Sequence, residues 1–289
     1  MLSPNAPPSK NLVVTADDAG LTVGLNRGIE QLVDAGRLKN VSLMVNSPAA
    51  EDAVERLRRF DDLSLGLHFN VYQDAPLSRD VGGLAPLLGP DGGFLRSLSG
   101  TVRAFRGAPG LADAVRRELD AQLDRFAAFG LTPSHIDIHK FLAGTPVWRI
   151  TADCAAERGL PYRRGPVEPA SLLMRTTRWP LKGWATAMAI SGWTRVSCKP
   201  PAGVRTMPCA GIACIGEWTT HRMASVLENT AGPALEIVMH PGEHCDDLGH
   251  NHTRLLHQRE DEMELLLSDR FGALLEEHGW RIAGYRDCA

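Results

Sequence analysis

The fold of this chain is decided by a short stretch near its N-terminus, Leu12-Val13-Val14-Thr15-Ala16-Asp17-Asp18-Ala19-Gly20. Its apolar start predicts a buried strand, which delivers two adjacent carboxylates, Asp17 and Asp18, into a turn. The carboxyl end of a strand is the functional edge of a parallel sheet. Neighbouring aspartates point in different directions there, so one can bind a metal while the other handles a proton. The alternative is that one of them caps the next helix, although Thr22 offers a cap of its own.

Short apolar runs alternate with longer amphipathic ones along the rest of the chain, as in βαβ units around a parallel sheet. Helical spacing predicts one helix ending at Gly36, one capped by Ser47, one ending at Gly130 and one capped by Ser268. This order predicts an α/β fold with a closed or nearly closed barrel, although an open doubly wound sheet would give the same order. The predicted strands are Leu12–Ala16, Val41–Val45, Ser64–Phe69, His135–His139, Leu160–Arg163, Thr206–Cys209, Leu235–His240 and Trp280–Tyr285.

The length of 289 residues fits a single domain, residues 1–289, built as one barrel of roughly 250 residues with two insertions. The first, at about 79–110, holds eight glycines and three prolines, which predicts a long, loop-rich segment. The second, at about 165–205, places tryptophans among prolines. Long excursions from a barrel cover a substrate or make contacts between copies of the chain, as in a homodimer.

The composition excludes several classes of protein. Thirty-one Lys and Arg residues against 34 Asp and Glu residues give a net charge of −3, so bulk charge does not predict nucleic-acid binding. A hydrophobic content of 44% predicts a sizeable core rather than disorder. No apolar run is long enough to span a membrane, and no apolar segment precedes the first strand as in a signal peptide. We therefore expect a cytoplasmic protein without a membrane span.

A second chemical feature is the alternating segment His135-Ile136-Asp137-Ile138-His139. Alternation predicts a strand with His135, Asp137 and His139 on one face. On a half-exposed strand that face would meet solvent. On an inward face each polar group would need a partner, and a divalent metal would satisfy that need.

Two further histidines, His68 and His240, each end an apolar strand. Either one alone fits a core or capping histidine. Together with the aspartate pair and the alternating segment, they place His or Asp at the carboxyl ends of four strands, as in barrel enzymes. A histidine-rich stretch at residues 244–257 suggests a second metal-binding loop or, as the alternative, a solvated loop.

In order along the chain, these motifs resemble the YdjC-like carbohydrate deacetylases, the relatives of chitooligosaccharide deacetylase. The resemblance implies a distorted (β/α) barrel, one divalent cation and hydrolysis of the N-acetyl group of an amino sugar. The motifs that carry it are Thr15-Ala16-Asp17-Asp18-Ala19-Gly20-Leu21, Asn26-Arg27-Gly28-Ile29, Ser42-Leu43-Met44-Val45-Asn46, Gly66-Leu67-His68-Phe69, His135-Ile136-Asp137-Ile138-His139 and Glu236-Ile237-Val238-Met239-His240-Pro241-Gly242.

Transferred position by position, the resemblance implies that Asp18, His68 and His139 bind the metal. Asp17 becomes the general base and His240 the general acid. Two imidazoles and one carboxylate leave coordination positions open for water and substrate, as a catalytic metal needs. Imidazole ligands favour zinc, nickel or cobalt. The supply of metal ions in the cytosol and the magnesium binding that the resemblance implies favour magnesium instead.

The same resemblance implies that Asp137 lies behind a metal ligand or a charged histidine and orients that residue. His135 shares that face and has no assigned chemical step. The chain departs from the family at Ala19, where a phenylalanine is usual, and at Lys140-Phe141-Leu142, where further histidines usually follow His139. These changes lie in the pocket wall, so the sugar or its aglycone is expected to differ from chitooligosaccharide.

The apolar middle segment, with Trp179, Trp184 and Trp193, resembles the hopanoid-biosynthesis branch of the same family and suggests a glycolipid or glycosylated metabolite. Tryptophan faces suit sugar stacking or lipid contact. We therefore predict substrate contacts for Lys140 and the three tryptophans.

Two other functions remain open from the sequence. One is a metal-dependent phosphoesterase or amidohydrolase on a similar barrel, in which two ions would lie roughly 3.5–4 Å apart. The other is a sugar-binding protein that has kept the barrel and lost turnover.

Overall fold

The computed structural model describes residues 10–140, 142, 145–160, 204, 206–211, 214–244, 248 and 253–288. Its strands are β1 (Lys10–Ala19), β2 (Asn40–Leu43), β3 (Ser64–Phe69), β4 (Ile136–Ile138), β5 (Cys209–Ala210), β6 (Ala234–Met239) and β7 (Trp280–Ile282). Its helices are α1 (Val23–Asp34), α2 (Ala50–Leu57), α3 (Val81–Leu84), α4 (Leu98–Gly107), α5 (Leu111–Ala128), α6 (Pro146–Glu157), α7 (Thr220–Asn229), α8 (Gln258–Leu267) and α9 (Asp269–His278).

Every pair of strands in the sheet is parallel, and the strand order is β4-β3-β2-β1-β6-β5. The seventh strand, β7, pairs with the start of β1 over Lys10–Leu12. The sheet curls into a half-barrel with alternating helices, so the predicted α/β fold with a distorted (β/α) barrel is confirmed. Strand β1 lies at its centre, and its residues from Leu12 onward are buried.

Several helix ends lie where the sequence predicts them. Thr22 caps α1 by accepting a hydrogen bond from the backbone of Leu25, and Gly36 beyond that helix has a φ of +68°. Ser268 caps α9 in the same way. The predicted cap of α2 is wrong: that helix begins at Ala50, and the Ser47 hydroxyl donates instead to a carboxylate oxygen of Asp74 at 2.6 Å.

Four of the predicted segments differ in the structure. The strand predicted at Thr206–Cys209 lies instead at Cys209–Ala210, and the last strand ends at Ile282. The first insertion is not only loop, because Asp80 and Ser97 cap helices α3 and α4 within it. Leu160 is not in a strand, and residues 161–163 of the strand predicted there lie outside the described residues, as does nearly all of the second insertion.

The helices and the sheet share a hydrophobic core that contains apolar residues of β1, β2, β3 and β6. Helix α1 contributes Ile29 and Leu32, and helix α5 contributes Leu119 and Phe126, all of them inaccessible to solvent. Within the described ranges, no helix has both the length and the apolar character that crossing a bilayer requires.

A buried histidine, His135, lies directly against the backbone of β3. Its ring nitrogens lie 3.1 Å from the Ser42 hydroxyl and 2.9 Å from the Ser134 hydroxyl, and its ring stacks on Tyr285 at 4.9 Å. A Cβ atom at Gly66 would lie 2.3 Å from this ring. The glycine is therefore required because the histidine, held on three sides, has nowhere to move.

Substitution of Gly66 by alanine should lower the free energy of unfolding by about 1–3 kcal/mol, the usual cost of overpacking a well-packed interior. Urea unfolding followed by circular dichroism measures this change. The matched control is Gly82→Ala in α3, where an added Cβ meets no atom within 4 Å. The control should be as stable as the wild type or slightly more stable. Equal stability of the Gly66 variant and the wild type would contradict the explanation.

Candidate active site

The two adjacent aspartates lie in an irregularity at the end of β1. Ala16 pairs with Val41 and Ala19 pairs with Leu43, so β1 advances three residues while β2 advances two. An extra residue of this kind is a β-bulge, which redirects side chains near active sites. Asp18 occupies the left-handed region with a φ of +66°, which is uncommon for a residue other than glycine. Both aspartates are consequently buried at the carboxyl edge of the sheet, at 2% and 1% exposure.

Three side chains from three strand ends converge on one point. The Oδ1 atom of Asp18 lies 3.0 Å from Nδ1 of His139 and 3.5 Å from Nε2 of His68. The two histidine nitrogens lie 3.2 Å apart. Oδ1 of Asp18 is buried, and no hydrogen bond of good geometry reaches it from the described residues. The structure thus brings together Asp18, His68 and His139, a group that could hold a metal ion.

Each of these three residues has a partner on the side that faces away from the point of convergence. Asp137 lies opposite His68 in the register of β3 and β4, and its Oδ1 is 2.5 Å from Nδ1 of that histidine. Oε1 of Gln73 lies 3.3 Å from Nε2 of His139. Arg259 donates to Oδ2 of Asp18 at 2.6 Å. Such outer contacts fix the orientation and tautomer of metal ligands.

Asp17 and His240 lie beside this group. Oδ2 of Asp17 is 4.0 Å from Nε2 of His68 and also 4.0 Å from Nε2 of His240. Asp17 is therefore located between the three converging residues and the histidine that ends β6. The side chain of His240 is 11% exposed, more than any of the other residues at the site named so far.

The backbone after His240 packs closely against α1, and glycines on both sides make this approach possible. A Cβ atom at Gly28 would lie 2.6 Å from the Cα of Gly242, and one at Gly242 would lie 2.4 Å from Leu25. The N–H of Glu243 donates to the carbonyl of Gly24. This close approach explains why small residues occur in both the Asn26–Ile29 motif and the motif that follows β6.

Burial and the neighbouring carboxylates act in opposite directions on the pKa values of the two converging histidines, with a different outcome for each. Burial opposes charge on His68, but Asp137 and Asp17 outweigh it and raise the pKa of His68 to about 9. Burial lowers the pKa of His139 to about 4, against the attraction of Asp18. Burial acts to raise the pKa of Asp18, yet Arg259 and His139 hold it well below its usual value. One histidine is thus neutral and ready to ligate, while the other carries a proton that a cation would replace.

The other predicted residues have separate places. His135 and Asp137 are both linked to the Ser42 hydroxyl, which donates to Oδ2 of Asp137 at 2.7 Å. Lys140 is half-buried with a φ of +61°, and its ammonium lies 5.6 Å from the centre of the Tyr72 ring. Burial lowers the pKa of Lys140. Trp179, Trp184 and Trp193 lie outside the described residues, so their contacts stay a prediction.

Of the histidine-rich stretch, His244 and His257 are described, and their rings lie 4.9 Å apart. Both side chains are exposed, and neither belongs to the groups of described residues that could hold an ion. Residues 250 and 252 lie outside the described residues.

Sequence reasoning missed Arg259, Glu262 and Gln73. Arg259 and Glu262 occupy the buried face of α8 with Leu265 and Leu266. A helix whose inward face carries charge shows no apolar periodicity, so the usual signal is missing. The only available signal was spacing: a charged pair at i and i+3, in line with two leucines at i+6 and i+7.

The sequence and the fold of this chain match those of known proteins. The family model described as YdjC-like protein matches residues 11–277. A human protein named carbohydrate deacetylase is 34% identical over 250 residues, which are 81% of this chain and 76% of that protein. A protein of Enterobacter sp. (strain 638) named chitooligosaccharide deacetylase is 35% identical over 156 residues, 53% of this chain and 59% of that protein.

A crystal structure from Enterococcus faecalis V583, provisionally described as a cellobiose-phosphate cleavage protein, superposes with a TM-score of 0.75. It is 21% identical, and the match covers 97% of this chain and 99% of that one. At this identity the likeness establishes the fold alone. The family match, in contrast, runs from the first strand to the last helix and includes every residue of the converging group. The chain therefore belongs to the family of YdjC-like proteins.

Proposed function

We propose that this protein is a metal-dependent hydrolase that removes the acetyl group from an N-acetylated amino sugar. The observation that carries the proposal is the convergence of Asp18, His68 and His139 beside Asp17, which lies between this group and His240. Relatives of this chain that are named carbohydrate deacetylase and chitooligosaccharide deacetylase support the choice of reaction. Water adds to the acetamide carbonyl carbon, the C–N bond breaks, and the products are acetate and a free amine.

The residues at the site fit a divalent cation. Asp17, Asp18 and Asp137 bring three carboxylates into a buried space that contains one guanidinium, that of Arg259. Buried charges require compensation, and once His68 has given up its proton a divalent cation would supply the two positive charges that are missing. Asp18, His68 and His139 would hold the ion. Two nitrogen ligands favour zinc, nickel or cobalt over magnesium. When bound, the cation supplies a Lewis acid that polarises the acetamide carbonyl and favours ionisation of water.

Asp17 is the proposed general base. Its carboxylate lies beside the converging group without belonging to the Asp18, His68 and His139 set, and its Oδ2 is 4.0 Å from both neighbouring histidines. A carboxylate at that place can remove a proton from the attacking water. The bulge in β1 brings both consecutive aspartates into the site, where Asp17 performs a different step from Asp18.

His240 is the proposed general acid. An amine leaves an amide only when its nitrogen receives a proton, and the His240 ring is located across Asp17 from the metal-binding residues. It is also the most exposed of these groups, which suits contact with a leaving group that carries a sugar. Lys140, beside Tyr72 at the same edge of the sheet, is a proposed substrate contact.

The alternative functions have weaker support. A two-metal phosphoesterase needs two sets of ligands. The second group of described residues that could hold an ion, Asp17, His68 and Asp137, shares His68 with the first, so the arrangement favours a single ion. A binding protein without turnover would have no need for Asp17 and His240 in addition to a complete ligand set.

Asp17→Asn should retain the metal and reduce acetate release by at least about 100-fold, because general-base catalysis contributes about 10²–10⁴-fold. Acetate release from a panel of N-acetylated sugars measures activity, and elemental analysis of protein purified without chelator measures the ion and its stoichiometry. Asp124→Asn, on the exposed face of α5, is the matched control and should behave as the wild type. Folded, metal-loaded wild-type protein that releases no acetate from any sugar would exclude the proposed reaction.

Removal of the carboxylate behind His68 should weaken metal binding before it affects the fold. For Asp137→Asn we expect a roughly 10–100-fold higher Kd for Zn²⁺, the usual cost of losing an orienting partner. Competition with a chromophoric chelator measures the Kd, and Asp124→Asn again provides the control. An unchanged Kd would show that Asp137 does not orient His68 for a metal.

A further inference from the structure

Helix α8 turns a charged face toward the site. Arg259 and Glu262, three residues apart, are each 1% exposed, while Asp261 and Glu264 on the same helix are exposed to solvent. Arg259 is among the largest fully buried side chains in the described part of the chain. Buried charges of this kind are costly unless paired, so their contacts define what they do.

The guanidinium of Arg259 connects the two halves of the site, which are the converging group around Asp18 and the end of β6 at His240. It donates to Oδ2 of Asp18 at 2.6 Å, to the backbone carbonyl of His240 at 3.4 Å, and to the carbonyl of Leu255 at 3.2 Å. A planar guanidinium presents its donors in a rigid fork, which a lysine ammonium does not. By engaging Oδ2, Arg259 leaves Oδ1 of Asp18 directed at the two converging histidines.

Glu262 contacts the His240 half of the site through backbone hydrogen bonds. Its Oε2 accepts the N–H of His240 at 2.6 Å, and its Oε1 accepts the N–H of Gly216 at 3.0 Å. Both carboxylate oxygens are therefore used, and neither touches the converging group. The contact fixes the last peptide of β6, from which the His240 ring projects.

We propose that Arg259 and Glu262 are positioning residues with separate tasks: Arg259 presents Asp18 as a one-oxygen metal ligand, and Glu262 sets the position of His240. This inference rests on the proposed function for the role of His240 alone. The task of Arg259 concerns the binding of a cation and holds for any reaction at the site. Because both residues lie on one face of α8, one helix maintains the geometry of both halves.

A measurement of metal affinity distinguishes an orienting role of Arg259 from a purely electrostatic effect of its positive charge. Removal of a nearby positive charge would by itself strengthen the binding of a cation. If Arg259 orients Asp18, removal of the Arg259 side chain must instead weaken the binding of the cation. For Arg259→Met we expect a roughly 10–100-fold higher Kd for Zn²⁺. Arg259→Lys keeps the charge and loses the fork, so its Kd should also rise, by a smaller factor.

Both Arg259 variants are compared with Arg270→Met, which removes an exposed arginine of α9. Circular dichroism identifies the folded variants. Arg259→Lys keeps a charge next to Asp18, so it tests the proposal if Arg259→Met fails to fold. An unchanged or lower Kd for a folded Arg259 variant would overturn the task assigned to this residue, whether or not the wild type releases acetate.

Glu262→Gln tests the other task. The amide keeps the size of the side chain but turns one acceptor into a donor facing an N–H group, so the end of β6 must shift. We expect kcat to fall about 10–100-fold, while KM and the Kd for Zn²⁺ stay within about twofold; this range is the usual effect of removing an orienting partner. Glu264→Gln, on the exposed side of α8, should match the wild type in all three quantities.

A readout independent of turnover completes the test. The ¹H–¹⁵N NMR signals of the His240 ring, assigned with His240→Asn, should move in Glu262→Gln, while those of His68 and His139 stay in place. This result is expected even if the substrate class is wrong. An unmoved His240 signal, or a Kd for Zn²⁺ that rises as much as kcat falls, would overturn the division of tasks.

Discussion

The burial of three aspartate carboxylates side by side is the constraint on which the rest of this structure depends. Asp17, Asp18 and Asp137 are at most 2% exposed, and an ionised carboxylate in such a place is strongly unfavourable without compensation. The protein answers with Arg259 on Asp18 and with His68 beside all three carboxylates. The cation that we propose for this site would supply the remaining positive charge.

The parallel sheet makes this concentration of charge possible. Parallel strands end at a common edge, so residues far apart in the chain meet without long loops. Register places His68 beside Asp137, whereas a bulge in β1 lets two consecutive residues enter one site. Behind the edge, Gly28 and Gly242 allow α1 and the turn after β6 to approach at backbone distance. The fold thus sets the distances between the site residues, and the strand ends supply the side chains that react or bind.

Much of this could be predicted from local sequence. Alternation in His135–His139 and the apolar runs before Asp17, His68 and His240 predict strands that end in polar groups, because periodicity reports burial directly. The structure confirms strands at these places, although β1 continues through both aspartates to Ala19 and β4 is limited to Ile136–Ile138. Helices α3 and α4 were missed because glycine-rich composition resembles a loop, whereas Asp80 and Ser97 cap short helices there. Arg259 and Glu262 were missed because charge on a helix normally marks a solvated face.

The sequence by itself determined the order of elements, the α/β class and the residue types available at each strand end, since these depend on short-range pattern and composition. Only the tertiary structure decided which of these residues meet. The choice of Oδ1 of Asp18 as the free oxygen depends on an arginine 241 residues away. The position of His240 depends on a glutamate of the same helix, α8. Such choices arise from the geometry of groups brought together by packing, and no local pattern records that geometry.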